Sequence, residues 1–136
     1  MTIDEQIARL NHEVRCTLKP SPIHGVGVFT VRDIKKGQHL YVRPKSLLTR
    51  EWFTVPYNRF GEIESKVRQI IINIWGGVME GSSFQHPNEV WLVSFMNHSD
   101  TPNSNGETAL RDIAEGEEVT EDYRVLPNAK DIYPFL

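Results

Sequence analysis

Phe95-Met-Asn-His-Ser-Asp-Thr-Pro-Asn103 is the stretch on which the reading of this chain turns. It closes the apolar run Val90-Trp-Leu-Val-Ser-Phe95, which has the length and composition of a buried strand. It then runs into Thr-Pro-Asn, so Asn97 and His98 fall on an irregular crossing rather than within a ladder. Side chains of these two types carry both hydrogen-bond donors and acceptors. On the residues alone two readings stand: a polar turn stitched by its own side chains, or groups presented to an adenine edge or an amine.

Two more stretches flank it in order. Ser21-Pro-Ile-His-Gly-Val-Gly-Val-Phe29 precedes it. Glycines two apart after a bend, Gly25 and Gly27, suit a tight hairpin, and equally a backbone that must approach a ligand closely. The third glycine and following helix of a dinucleotide fingerprint are missing, which excludes that reading. Ala109-Leu-Arg-Asp-Ile-Ala-Glu-Gly-Glu-Glu-Val-Thr-Glu-Asp-Tyr123 follows. It ends a short strand on Tyr123, a residue that at such a position commonly serves as core with its hydroxyl satisfied. Its acidic residues, Glu115, Glu117, Glu118, Glu121 and Asp122, read as a solvated turn or as an attraction for a basic peptide.

Working outward, Thr2-Ile3-Asp4-Glu5 fits a capping box, and Ile3, Ile7 and Leu10 share one face of a short helix. Strands are expected over 14–18 and 26–31, joined by the bend through Lys19-Pro20-Ser21-Pro22, and over His39–Arg43, stopped by Pro44. Ile63, Val67, Ile70, Ile71 and Ile74 lie at helical spacing within Glu62–Trp75, and Gly76-Gly77 supplies the stop. Gly81-Ser-Ser is expected as a loop, and short strands near 107–113 and 118–123. Many short strands around one main helix make an α+β domain, mostly β.

The 136 residues allow one domain, 1–136, with a real core. Hydrophobic content of 39% and charged content of 24% are those of a globular protein. No run nears the ~18 apolar residues of a membrane span, and Met1-Thr-Ile-Asp-Glu-Gln lacks a secretion signal. A soluble intracellular protein is expected, cytoplasmic, or nuclear in a eukaryotic or viral setting. A net charge of −3 argues against direct nucleic-acid binding. The lone Cys16 excludes an internal disulfide and a multi-cysteine zinc cluster. Five scattered histidines form no HxxxH or HxH pair, so no metal is expected.

Taken together and in this order, the three stretches resemble the signature segments of the SET-domain protein lysine methyltransferases. The resemblance runs over about residues 14–123. It implies the SET fold: short strands in several small sheets, one main helix, and a knot-like crossing through which the C-terminal segment threads. It implies an enzyme that moves a methyl group from S-adenosylmethionine to a neutral lysine amine of a protein substrate, histone or another basic protein. The alternative is a SET-like module that binds peptide or cofactor without turnover.

By the same resemblance, His24, Gly25, Val26 and Gly27 lie along the cofactor, and Asn97 and His98 hold its amino-acid end and adenine. Tyr123 is the catalytic residue, its hydroxyl beside the transferred methyl. Tyr41, Glu121, Tyr133 and Phe135 are assigned to the substrate channel; the last two stand on a short closing tail, 124–136, which finishes that channel or covers the adenine. The 136 residues include no cysteine-rich stretch of the kind that flanks the core in the family. Ser94 replaces a common arginine, Asp100 a common cysteine, and Glu121 a common Phe or Tyr that helps set how many methyls are added. Residues 44–89 match no motif and correspond to the insert that selects substrate. A compact protein of this kind, similar to bacterial and viral SET proteins, is expected to act as a monomer or homodimer.

Overall fold

A computed structural model of the chain describes residues 1–42, 53–75, 78–80, 83–86, 92–125 and 127–136. The first helix, α1 (Ile3–Glu13), opens on the capping box expected from its sequence: Glu5 N–H donates to Thr2 Oγ1 and Thr2 N–H to the Glu5 carboxylate. Two of the four orphan donors at the helix start are thereby satisfied. Its apolar face buries Ile7 and Leu10.

Strands β1 (Cys16–Pro20) and β2 (Val26–Thr30) form an antiparallel hairpin, with Leu18 opposite Val28. Strand β3 (Phe53–Pro56) leads through a 3-10 turn, Tyr57–Glu62, to α2 (Ser65–Ile70). Strands β4 (Val78–Glu80) and β5 (Ser83–His86) complete a sheet of order β3-β5-β4. The second sheet has the order β1-β2-β7-β6, where β6 is Asn97–His98 and β7 is Glu118–Glu121. Strand β7 runs antiparallel to β2 and parallel to β6, so a segment late in the chain is inserted between two earlier ones.

The loop after β6 wraps that inserted strand. Ser99 N–H donates to Glu121 O at 3.0 Å, Ser104 Oγ to Thr120 O at 2.9 Å, and Thr120 N–H to Asn103 Oδ1 at 2.9 Å. Asn97 and His98 thus do enter a ladder, a parallel one of two residues, at the crossing where the sequence expects irregular chain.

Five expected elements take another form. Leu92–Phe95, expected as strand, is a 3-10 turn that buries Leu92 and exposes Phe95. A short apolar run does not by itself separate strand from helical turn. Residues 39–42 and 107–113 make isolated bridges instead of strands, pairing His39 with Thr108 and Ile34 with Ile113. The main helix is regular only over Ser65–Ile70; Ile71–Trp75 continues as a π-helical turn, a wider winding that keeps Ile71 and Trp75 buried. The last strand stops at Glu121, and Tyr123 opens a 3-10 turn, Tyr123–Val125, beyond it. Pro44, the Gly76-Gly77 stop, Gly81-Ser82 and the first two residues of the 90–95 run lie outside the described residues.

Two apolar clusters hold these parts. One joins α1, β3 and α2 through Leu10, Phe53, Val55, Ile63, Val67 and Ile71. The other lies under the second sheet and gathers Cys16, Val28, Ile34, Leu40, Met96 and Val119. Ile74 packs against both.

Candidate active site

The site is built where the β1–β2 bend meets the β6–β7 crossing. The bend closes with Ser21 N–H donating to Gly25 O at 2.7 Å, and Gly25 takes a φ of +46°, which favours glycine. Gly27 answers a different need. A Cβ there would sit 2.4 Å from Glu118 Oε2 and 3.0 Å from Ser21 Cβ. The Glu118 carboxylate occupies that space, accepting from Ser21 Oγ at 2.8 Å and from Asn97 Nδ2 at 3.0 Å. Asn97, 8% exposed, also donates to His24 O at 3.0 Å and Val26 O at 3.3 Å. Its amide nitrogen is committed to fastening the bend onto the crossing. Its Oδ1 accepts no hydrogen bond from the described residues and remains available as an acceptor.

His98 fixes Tyr123. Tyr123 N–H donates to His98 Nδ1 at 3.0 Å, so that nitrogen carries a lone pair and the proton sits on Nε2, which donates to Asp100 Oδ1 at 2.8 Å. The Tyr123 hydroxyl donates to Met96 O. Tyr123 is thereby held at both its backbone and its tip. Burial pushes its hydroxyl pKa above the ordinary tyrosine value, with smaller upward contributions from the Glu121 charge and from Tyr133.

Beyond Tyr123 the chain turns through Asn128, at φ +57°, into the short helix α3 (Ala129–Ile132) and returns over the site. The Tyr133 ring lies 4.8 Å from that of Tyr123, and Phe135 lies 5.8 Å from Tyr133 and 6.2 Å from His98, centroid to centroid. These tilted pairs are within the range where aromatic rings attract.

An open cleft of about 540 Å³ results, lined by Ile23, His24, Ser94, Asn97, His98, Tyr123, Tyr133 and Phe135. Six of these were expected from the sequence; Ile23 and Ser94 were not. Gly25, Val26 and Gly27 follow His24 along the chain but are not among the lining residues; Gly25 and Val26 are exposed and Gly27 is buried. Tyr41 and Glu121 lie apart from it and meet at Gly106: Tyr41 Oη donates to Gly106 O at 2.7 Å, and a Cβ on Gly106 would sit 2.7 Å from Glu121 Oε2. Glu118, Ser21 and Met96 carry no site signal of their own in the sequence, since their partners lie far off along the chain.

The acidic stretch is mostly neutralised internally. Glu115 pairs with Lys66 at 3.5 Å, Glu117 with Arg111 at 2.7 Å, and Asp122 with Arg124 at 2.8 Å. It is therefore less a surface attraction for basic peptides than a set of local clamps, Glu121 excepted.

A family model, the SET domain, matches residues 25–124, from the glycine bend to the residue after Tyr123. The chain belongs to the SET-domain family. The parts of this SET domain that form the cleft fall within the match, apart from Ile23, His24 and the tail. Among solved structures, a Plasmodium falciparum protein described as a candidate histone methyltransferase aligns at 19% identity, over 80% of this chain and 92% of that one, with a TM-score of 0.40. A humanized mutant of the Chaetomium thermophilum Polycomb Repressive Complex 2, bound to the inhibitor GSK126, aligns at 18% identity, over 85% of this chain and 16% of that one, with a TM-score of 0.42. No curated protein sequence matches the chain. No helix among the described residues is long and apolar enough to cross a membrane.

Proposed function

We propose that this SET domain is an S-adenosylmethionine-dependent protein lysine N-methyltransferase. The observation that carries the reading is the convergence of His24, Asn97, His98 and Tyr123 with two tail aromatics on one cleft. Its volume of about 540 Å³ lies within the ~300–1,000 Å³ of small-molecule sites. The residues fit the cofactor's chemistry. The ring faces of Tyr133, Phe135 and His98 suit a flat base, and the Asn97 Oδ1 suits the ammonium of its amino-acid end. When bound, the cofactor supplies an electrophilic methyl on a sulfonium sulfur.

The chain's own work is positioning. Transfer needs reacting atoms held in line at about 3–3.5 Å. Tyr123, locked by His98 and Met96, keeps its hydroxyl oxygen as an acceptor for the incoming amine. Aromatic surroundings and the neighbouring sulfonium charge disfavour the ammonium form of a lysine whose free pKa is about 10.4. A basic protein such as a histone is the substrate class, and residues 44–89 are the segment to select it, on a monomer or homodimer.

The test is incubation with methyl-labelled cofactor and a panel of basic proteins, beside Tyr123→Phe. Label is expected on lysine, falling about 10²-fold in the variant, the size of loss that follows small misplacements of reacting groups. Cofactor binding without any labelling would instead make this a binding module. Failure to bind cofactor would remove the reading altogether.

A further inference from the structure

Glu121 differs from every other carboxylate in its stretch. Glu115, Glu117 and Asp122 each face a Lys or Arg, and Glu118 accepts from Ser21 and Asn97. The Glu121 side chain is half-buried, with no cation and no hydrogen-bond donor opposite it among the described residues. An ionised group so placed has lost part of its water and faces no counter-charge among the described residues, which is costly.

Its position gives that deficit a use. Glu121 ends β7, opposite His98 in the parallel ladder and two residues before Tyr123. Its carboxylate lies against Gly106, whose φ of +92° and missing side chain leave room for it. The same glycine's carbonyl accepts from the Tyr41 hydroxyl. The Val93 side chain also closes on that glycine, 3.3 Å from where a Cβ would be. Among the described residues, the titratable groups around Glu121 are thus Tyr41, His98 and Tyr123.

We propose that Glu121 is the proton acceptor for the substrate's lysine amine: the ammonium pairs with its carboxylate and gives it one proton before methyl transfer. This rests on the lysine methyltransferase reading above. In the step an N–H bond breaks and an O–H bond forms, while nitrogen keeps the electron pair it needs as nucleophile. The resting pair is ammonium and carboxylate; on transfer one positive and one negative charge become two neutral groups, a change that partial burial makes less uphill than it is in water. Burial already pushes the Glu121 carboxyl above the usual glutamate value, which narrows the gap to lysine. The chemistry also selects the substrate. A guanidinium, which holds its proton to pH above ~12, cannot serve this acceptor.

Two measurements test it, one free of the cofactor. In the first, the carboxyl carbon resonance of Glu121, assigned by its loss in Glu121→Gln, is followed with pH in the whole chain, with and without n-butylamine. A midpoint above ordinary glutamate that falls when the amine is added is expected. An ordinary midpoint indifferent to the amine overturns the proposal. In the second, methyl transfer is followed against pH for the native chain, Glu121→Gln and Glu121→Asp. Loss of a general base costs about 10²–10⁴-fold, so kcat/KM of Glu121→Gln should fall by that order near pH 7. The deficit should close as pH nears 10, where the amine deprotonates unaided, and Glu121→Asp should recover part of the rate. A deficit that does not change with pH, or none, overturns the proposal and leaves the methyltransferase reading intact. An amine-sensitive Glu121 in a chain that transfers no methyl would keep the amine site and overturn the activity instead.

Discussion

Glu121 and Asp122 are neighbours whose carboxyls are driven in opposite directions. The Arg124 guanidinium, hydrogen-bonded to Asp122, holds that carboxyl down to about 2. Burial alone drives Glu121 up. Their effects on folding therefore have opposite signs. Asp122 stabilises the fold above the ordinary aspartate value of about 3.9 and loses that contribution as pH falls toward its folded value. Glu121 favours the fold while protonated, below about 4.3, and its contribution is lost as pH rises through its elevated folded value. Replacing it with glutamine removes that loss. Glu121→Gln is expected to melt above the native chain at pH 7 and together with it near pH 3, by calorimetry at both values. A variant that melts lower at pH 7 would mean that the carboxylate already has a counter-charge. A residue kept at some expense in stability is what a reactive site is expected to contain.

The first helix was legible because everything that makes it is local. Thr2 and Glu5 stand three apart, and Ile3, Ile7 and Leu10 follow the helical period. Thr2→Ala should remove the Thr2 half of the box and cost about 1 kcal/mol of stability, read as a lowered denaturant midpoint at unchanged slope. No change would mean that the first turn frays in the native chain. The β1–β2 hairpin was legible for the same reason, its bend marked by Pro and Gly. Elements whose partners are distant were not. Residues 107–113 look like a strand, yet they meet Ile34 and His39 only at single bridges. The run ending at Phe95 looks buried on both faces, yet its second half winds as a 3-10 turn that exposes Phe95. The apolar spacing across Glu62–Trp75 did mark the right inward face, though not the change from α to π winding. The site divides likewise. Asn97, His98 and Tyr123 could be picked out because they stand in recognisable motifs. Glu118 could not: its meaning depends on Ser21, 97 residues earlier, and on the space left by Gly27.

The two apolar clusters leave the tail outside the main stabilising core: neither includes any residue beyond Val119. Beyond Arg124 the described chain is held by ring contacts and by one short helix that buries Ala129, while Ile132 and Phe135 remain 60% and 69% exposed. Yet Tyr133 and Phe135 furnish one wall of the cleft. Stability and the completed site therefore depend on different parts of the chain, as they do where a closing segment assembles a binding site. Ending the chain after Ile132 should separate them. The four residues removed belong to neither apolar cluster, and Pro134 and Phe135 are exposed, so the melting temperature should hardly move. Affinity for S-adenosylmethionine, measured by calorimetric titration, should fall at least tenfold, since a base would lose two of its three aromatic neighbours. Unchanged affinity would place the cofactor elsewhere than against the tail. A collapse in melting temperature would show that the tail supports the core, through Ala129 or the Tyr133–Tyr123 contact, and that closing the cleft and completing the fold are one event.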